Sequence, residues 1–155
     1  MDEIDRNLVV ALQLDGSAGL AELAKVAGLS VSATAERVKR LEERGVIRGW
    51  RADLDPAAVG CPVLVHLLVA VAPGRDDAAF RRAMRKAEAV LECHAVTGAW
   101  TYLLKLRLPD IRALDAYLNE ELRTQPGVQR TETLLTIATV KETSILPVAP
   151  ADPEE

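Results

Sequence analysis

The sequence predicts an α+β protein: a small all-helical N-terminal domain, then a domain of strand–helix–strand–strand–helix–strand order. Three observations predict this. Apolar residues recur at helical spacing through the first third of the chain. A nearly continuous aliphatic run of strand length, VLVHLLVAVA at residues 63–72, follows a break at Asp55 and Pro56. Beyond it, helical and strand patterns come in βαββαβ order, punctuated by Pro-Gly pairs, which is the split βαβ or ferredoxin-like arrangement.

The 155 residues allow one domain or two small ones. About half are apolar and only 3% aromatic, so the core must be aliphatic. No apolar run is long enough to span a bilayer, and MDEIDRN is not a signal peptide. A soluble, cytoplasmic protein with no membrane partner is expected. Cys61 and Cys93 form no CxxC, and no His/Cys cluster accompanies them, so neither a disulfide framework nor a metal site is expected, and no cofactor. The net charge of −4 argues against a nucleic-acid partner, but its distribution argues the other way. Residues 31–51 hold six cations and three acids, a local charge of +3 that pairing of two copies would double.

Residues 2–14 read as a first helix, capped by Asp2, with Glu3 and Asp5 at the positive end of its dipole. Ile4, Leu8 and Ala11/Leu12 form its apolar stripe. Asp15, Gly16 and Ser17 turn the chain. Leu20, Leu23, Ala24 and Ala27 mark a second helix, which Gly28 breaks, with Leu29 in the corner. Ser30 caps a third helix, in which Val31, Ala35, Val38 and Leu41 are expected inward, and Gly45 ends it. Two helices joined so tightly form a helix-turn-helix, whose second helix reads the DNA major groove. Small residues early in that helix allow close approach and cations later reach bases and phosphates, so Ser32, Ala33, Thr34, Arg37, Lys39 and Arg40 are the candidate DNA contacts. Arg37 and Arg40 carry the main charge, and Ser32 and Thr34 lie near the groove floor. Any small helical bundle can show two such helices; the rest of the chain decides between the readings.

Residues 46–54 are β-leaning and fit a wing or exit strand, with Arg48 and Arg51 able to touch the DNA backbone. The expected boundaries are a winged-helix-like DNA-binding domain at 1–54, a linker at 55–61, a ferredoxin-like domain at 62–146 and a Pro-rich, acidic, disordered tail at 147–155. Within the second domain, residues 76–89 read as a helix with Phe80, Ala83, Met84 and Ala87 inward. Its Arg81, Arg82, Arg85 and Lys86 form a solvated face or a second nucleic-acid surface. Residues 90–96 and 100–108 read as strands around a turn at Thr97, Gly98 and Ala99. A helix from Pro109 and Asp110 to about Arg123 carries Ile111, Leu114, Leu118 and Leu122, and residues 128–140 read as a long last strand. Two helices cover one sheet face; an aliphatic bare second face predicts pairing with another copy.

An enzyme is the rival class. Cys93 and His94 are strand neighbours that point to opposite faces and cannot pair as nucleophile and base. His66 lies on one strand face with no second ligand at metal spacing. No phosphate loop or acid cluster is present, so no catalytic role is expected.

The segments DEIDRNLVVALQLDG, GLSVSATAERVKRLEERGVIRGWRADLDP, ECHAVTGAWTYLLKLRLPD and LRTQPGVQRTETLLTIATVKET together resemble the Lrp/AsnC, or feast-famine, family of transcriptional regulators. The resemblance covers residues 2–148. It implies a DNA-binding regulator acting on double-stranded DNA, nucleoid-associated, dimeric and assembling into larger rings such as octamers. It also implies an amino-acid-like effector held between sensing domains. The family's turn after the second sensing strand reads Gly-acid-aromatic-Asp-aromatic; here it is Gly98, Ala99, Trp100, Thr101 and Tyr102, so both acidic positions are lost. Leu134, Leu135 and Thr136 are implied to line the same cleft from a neighbour. Without a carboxylate for the ammonium, a free amino acid loses about 1.5–3 kcal/mol, ten- to a hundredfold in affinity. Three readings stay open: weak amino-acid binding, a different and less polar ligand, or a vestigial pocket with Trp100 packing at an assembly interface. A sensing module without a DNA role is a further alternative, against which the complete helix-turn-helix stands.

Overall fold

A computed structural model describes residues 1–149. The chain divides into two compact units, Met1–Asp53 together with the segment from residue 141, and Leu54–Val140.

The first unit holds α1 (Glu3–Leu14), α2 (Leu20–Ala27) and α3 (Val31–Glu43). Asp2 caps α1 by accepting from the Asp5 amide at 2.8 Å, and Glu3 and Asp5 place negative charge on its first turn. Gly28 takes the left-handed conformation (φ +65°) that ends α2, and Ser30 then caps α3 by accepting from the Ala33 amide. Leu8, Val9, Leu12, Leu23, Ala27 and Leu41 form the core, with Ile4, Ala11, Leu29 and Val38 partly buried against it.

The phase of α3 corrects the sequence expectation. Val31 is half exposed, whereas Thr34 is fully buried. The inward stripe is Thr34, Val38 and Leu41, at i, i+4 and i+7. Burial of a hydroxyl is tolerated because Thr34 Oγ1 donates to the Ser30 carbonyl oxygen at 3.0 Å.

Residues 46–54 form no strand, so the expected wing is absent. That segment is held by side chains instead: Trp50 Nε1 donates to Glu42 Oε1 at 2.8 Å, and Ile47 packs on the helical core. The C-terminal segment returns to the same core. The Gln13 carboxamide grips the Leu146 backbone twice, donating to its carbonyl at 3.1 Å and accepting from its amide at 2.7 Å, and Val148 packs against the cluster. The disorder expected from residue 147 does not include Val148, which the Gln13 grip on Leu146 carries onto the core; residues 150–155 lie outside the described residues.

The second unit is a four-stranded antiparallel sheet of order β2-β3-β1-β4. Its strands are β1 (Val63–Val71), β2 (Val90–Ala95), β3 (Tyr102–Leu108) and β4 (Val128–Leu135). The helix α4 (Arg75–Met84) follows β1, and α5 (Ile111–Ala116) follows β3. Val65, Leu67, Val69 and Val71 of β1 and Tyr102, Leu104, Leu106 and Leu108 of β3 bury one face beneath Phe80, Met84, Leu114, Tyr117 and Leu122. Alternation along both central strands places those side chains on a single face.

Three elements depart from expectation. The α4 helix ends at Met84, as the Lys86 and Ala87 amides both fold back on the Ala83 carbonyl. α5 continues as a π-helical turn, Tyr117–Leu122, whose i→i+5 bonding brings Tyr117 and Leu122 onto the core while Ile111 is exposed. β4 stops at Leu135, not Val140. The Thr136 amide still donates to the Leu64 carbonyl, but β1 begins at Val63 and offers no ladder partner further on. Ile137 and Val140 are left almost fully exposed.

By strand register, the face away from the helices carries His66, Leu68, Leu103 and Leu134 at its centre. The expected aliphatic surface is thus bordered by charge: Glu92 accepts from Lys105 Nζ at 3.2 Å and pairs with His94 Nε2 at 3.0 Å, and Arg130 and Glu132 lie on the β4 side. Register also puts Cys93 with Leu104 and His94 with Leu103, on opposite faces.

Candidate nucleic-acid interface and effector turn

The six candidate DNA contacts fall into two groups. Ser32 and Ala33 are exposed on the first turn of α3, which the Ser30 cap presents, and the two serine hydroxyls lie 3.2 Å apart. Lys39 and Arg40 are exposed one to two turns later. Lys39 faces Glu43 at 3.7 Å, and Arg40 Nε donates to the Glu36 carbonyl at 3.4 Å. A loose exposed pair of this kind is worth little and leaves a lysine able to exchange partners. The α3 surface thus combines small side chains with two solvent-facing cations.

Thr34 and Arg37 belong to the second group, and both correct the sequence reading. Thr34 is fully buried and cannot approach a groove floor. Arg37 turns toward α1: its Nη1 reaches Asp2 Oδ2 and Asp5 Oδ1, each at 2.7 Å, with only a quarter of the side chain exposed. Arg44 adds a longer contact to Asp5 at 3.9 Å. The amide of Asp5, then the Arg37 guanidinium, hold the Asp2 carboxyl below its ordinary range, and the two acids raise Arg37 further. With two carboxylates against it, Arg37 presents little net charge outward. Arg40 and Arg44 edge the same cleft, of about 270 Å³, with Met1 and the two aspartates. Nothing local to the sequence marks Asp5 as a buried acid; its partner lies 32 residues away.

A larger groove, about 880 Å³, runs between the C-terminal end of α1, the Trp50 segment and residues 142–145. Arg48 and Arg51 line it and are exposed, on an irregular segment in place of a wing.

The effector-turn residues are similarly divided. Gly98 has φ +105°, which a side chain would disfavour, and both it and Ala99 are exposed. Trp100 is half-buried beneath the Arg130 guanidinium, 4.0 Å from the ring centroid, and Arg130 Nη2 donates to the Ala99 carbonyl at 3.4 Å. Thr101 is already committed: its Oγ1 accepts from the Val71 amide at 3.0 Å, and its own amide donates to Val69. Tyr102 points the other way, into the helix-covered core, where its hydroxyl donates to Asp77 and its ring packs on Phe80. Tyr102 and Thr101 therefore do not offer polar groups to a ligand.

Leu134, Leu135 and Thr136 lie at the opposite end of the sheet. Leu135 pairs with Val65, whereas Thr101 bonds Val71, six residues along β1 and hence ~20 Å away. One chain does not bring the two halves of the candidate cleft together. Both leucines are half exposed, and Thr136 Oγ1 lies 3.5 Å from His66 Nδ1.

Among known proteins, residues 1–42 match the AsnC-type helix-turn-helix domain, and residues 64–146 match the Lrp/AsnC ligand binding domain. The leucine-responsive regulatory protein of Escherichia coli K12 is 40% identical over 148 residues, covering 94% of this chain and 90% of the relative. A Neisseria meningitidis transcriptional regulator solved as its L-Met complex superposes with a TM-score of 0.90 at 29% identity, covering 95% of this chain and 96% of that one. The feast or famine regulatory protein of Mycobacterium tuberculosis, complexed with L-methionine, gives a TM-score of 0.81 at 37% identity, with 94% and 97% covered.

Proposed function

The chain belongs to the Lrp/AsnC family of transcriptional regulators, and from that premise we propose how its own residues do the work. Two copies present their α3 helices to successive major-groove segments of a pseudo-palindromic site, about one helical turn apart. Ser32 and Ala33 approach the groove floor, and Lys39 and Arg40 reach bases and phosphates. Arg37 does not read DNA; it braces α3 against α1 through Asp2 and Asp5. The copies pair through the sheet and assemble into larger rings, in the cytoplasm and on the nucleoid, with no catalytic step. An amino-acid-related effector binds between sensing domains and shifts the spacing of the readers by binding one assembly better than another; that two solved relatives are complexes with L-methionine supports an effector of this class.

The observation that carries the DNA reading is the exposed Ser32, Ala33, Lys39 and Arg40 surface on a helix whose phase is set by buried Thr34 and by the Arg37 brace. Mobility-shift titration of the DNA upstream of the chain's own coding region tests it. Retarded complexes whose affinity falls with added salt support the reading, and absence of any complex at low salt rejects it. Placement of the two effector-residue groups at opposite ends of the sheet supports a cleft completed by a neighbouring copy.

A further inference from the structure

Relatives solved with L-methionine bind a zwitterion, with an ammonium and a carboxylate on one carbon. The turn of this chain is built for only one of those charges. Ala99 and Thr101 carry no acid, and the Thr101 hydroxyl is already taken by the Val71 amide. The charged group that does reach the turn is cationic. At the β1–β4 pairing the register slips between Ala70 and Val71, so that Ala70 pairs with Arg130 and Val71 with Val128. Such a bulge re-aims the side chains beside it. Here the central carbon of the Arg130 guanidinium lies over the Trp100 ring, 4.0 Å from its centroid, with Nη2 donating to the Ala99 carbonyl.

Stacking on an aromatic face fixes a guanidinium without neutralising it. The indole supplies a quadrupole, not a counter-charge, and the fork of N–H donors at the edge of the plane stays matched to a carboxylate. An α-ammonium placed beside the same group meets like charge, with no acid from Ala99 or Thr101 to offset it. Gly98 and Ala99, both exposed, leave the approach to this edge open.

We propose that the turn formed by Gly98, Ala99 and Trp100, armed by Arg130, selects a carboxylate that lacks an α-ammonium, a 2-oxo acid rather than the corresponding amino acid. This rests on the reading that an effector binds at this turn at all, and it names the chemical class. Arg130 is the specificity-determining residue, holding the carboxylate, while Trp100 holds Arg130 in place. The protein on this account reports the deaminated partner of an amino-acid pair, so a transamination or oxidative deamination reaction must supply its ligand.

The test is calorimetric titration of the full chain with three probes of one skeleton: L-methionine, 4-methylthio-2-oxobutanoate and 3-methylthiopropylamine. The oxo acid is expected to bind at least about tenfold more tightly than L-methionine, with no heat from the amine. Arg130→Gln is expected to abolish the preference with an unchanged melting temperature, since Arg130 is exposed. Arg130→Gln combined with Ala99→Asp is expected to reverse it toward L-methionine. Equal or tighter binding of L-methionine to the unaltered chain overturns the proposal while leaving an effector site in place. No heat from any probe, in protein that still shifts DNA, overturns the proposal together with the effector half of the functional reading. Preference for the oxo acid that survives Arg130→Gln removes Arg130 from the role.

Discussion

Arg37 of α3 reaches Asp5 of α1 across a 2.7 Å contact, and Asp5 is a buried acid. The pair ties α3, the helix proposed to read DNA, to α1. Removing the cation takes the 2.7 Å partner from a buried carboxylate whose contact to Arg44 is longer, at 3.9 Å. Arg37→Ala should therefore destabilise by about 1–3 kcal/mol, a fall of several degrees in melting temperature. Thermal unfolding of the variant checks this. A melting curve superimposable on the parent would show that the brace contributes nothing.

Acid should loosen the contact between Arg37 and Asp2. The Asp2 carboxyl is held below its ordinary value of 3.8 by the Asp5 amide and by Arg37. A carboxyl lowered in the folded state stabilises above its unfolded pKa, and that contribution is lost as pH falls through the folded value. Asp15, Asp77 and Glu92 are lowered as well, through Ser17, through Tyr102, and through His94 and Lys105 respectively. Stability should hold from neutrality down to about pH 4 and fall below it. Urea unfolding across that range, repeated on Asp2→Asn, should show a shallower acid limb in the variant; identical limbs would remove Asp2 from the account.

The alkaline side belongs to the tyrosines. Burial, then the hydrogen bond to Asp77, pushes Tyr102 up to about 12, and burial among the core side chains raises Tyr117 as well. A raised folded value means stability that is complete below the unfolded pKa of about 10 and lost as pH climbs toward 12. Ultraviolet titration should show almost no phenolate at pH 10.5 in folded protein, with Tyr102→Phe removing the lower of the two steps. A full phenolate signal near pH 10 with the fold intact would mean Tyr102 is not buried against Asp77.

Thr34 gives a direct check on the phase of α3. Thr34→Val keeps the volume and loses one hydrogen bond, at a cost of about 1 kcal/mol. Thr34→Lys would add charge to a DNA-facing helix were the residue outside, but inside it buries an unpaired ammonium. The lysine variant should unfold several degrees below the valine variant. Equal melting temperatures with tighter DNA binding would put Thr34 back on the outer face.

Much of this was legible because its cause is local. Asp2, Ser30 and Gly28 announce their caps and turn by residue type, and the βαββαβ order follows from strand-length aliphatic runs between Pro-Gly breaks. What the local sequence does not carry depends on distant partners. Thr34 looked polar and outward, but its hydroxyl is satisfied four residues back, which frees it for the core. Arg37 looked like a DNA contact, yet its carboxylates come from α1. The length of β4 is set by where β1 begins, and no residue in 136–140 signals that. At the effector turn the missing acids at 99 and 101 were plain in the sequence. Arg130 over Trp100 was not, because it comes from another strand across a register shift.

The division of labour between Arg37 and Arg40 is the centre of the account. Fluorescence anisotropy with labelled upstream DNA, across a series of salt concentrations, measures it for the parent and for Arg40→Ala. Loss of Arg40 should weaken binding severalfold or more and reduce the slope of log affinity against log salt by about one per contact removed, with the melting temperature unchanged. Parent-like affinity and salt slope in Arg40→Ala would contradict the assignment of this face of α3 to DNA.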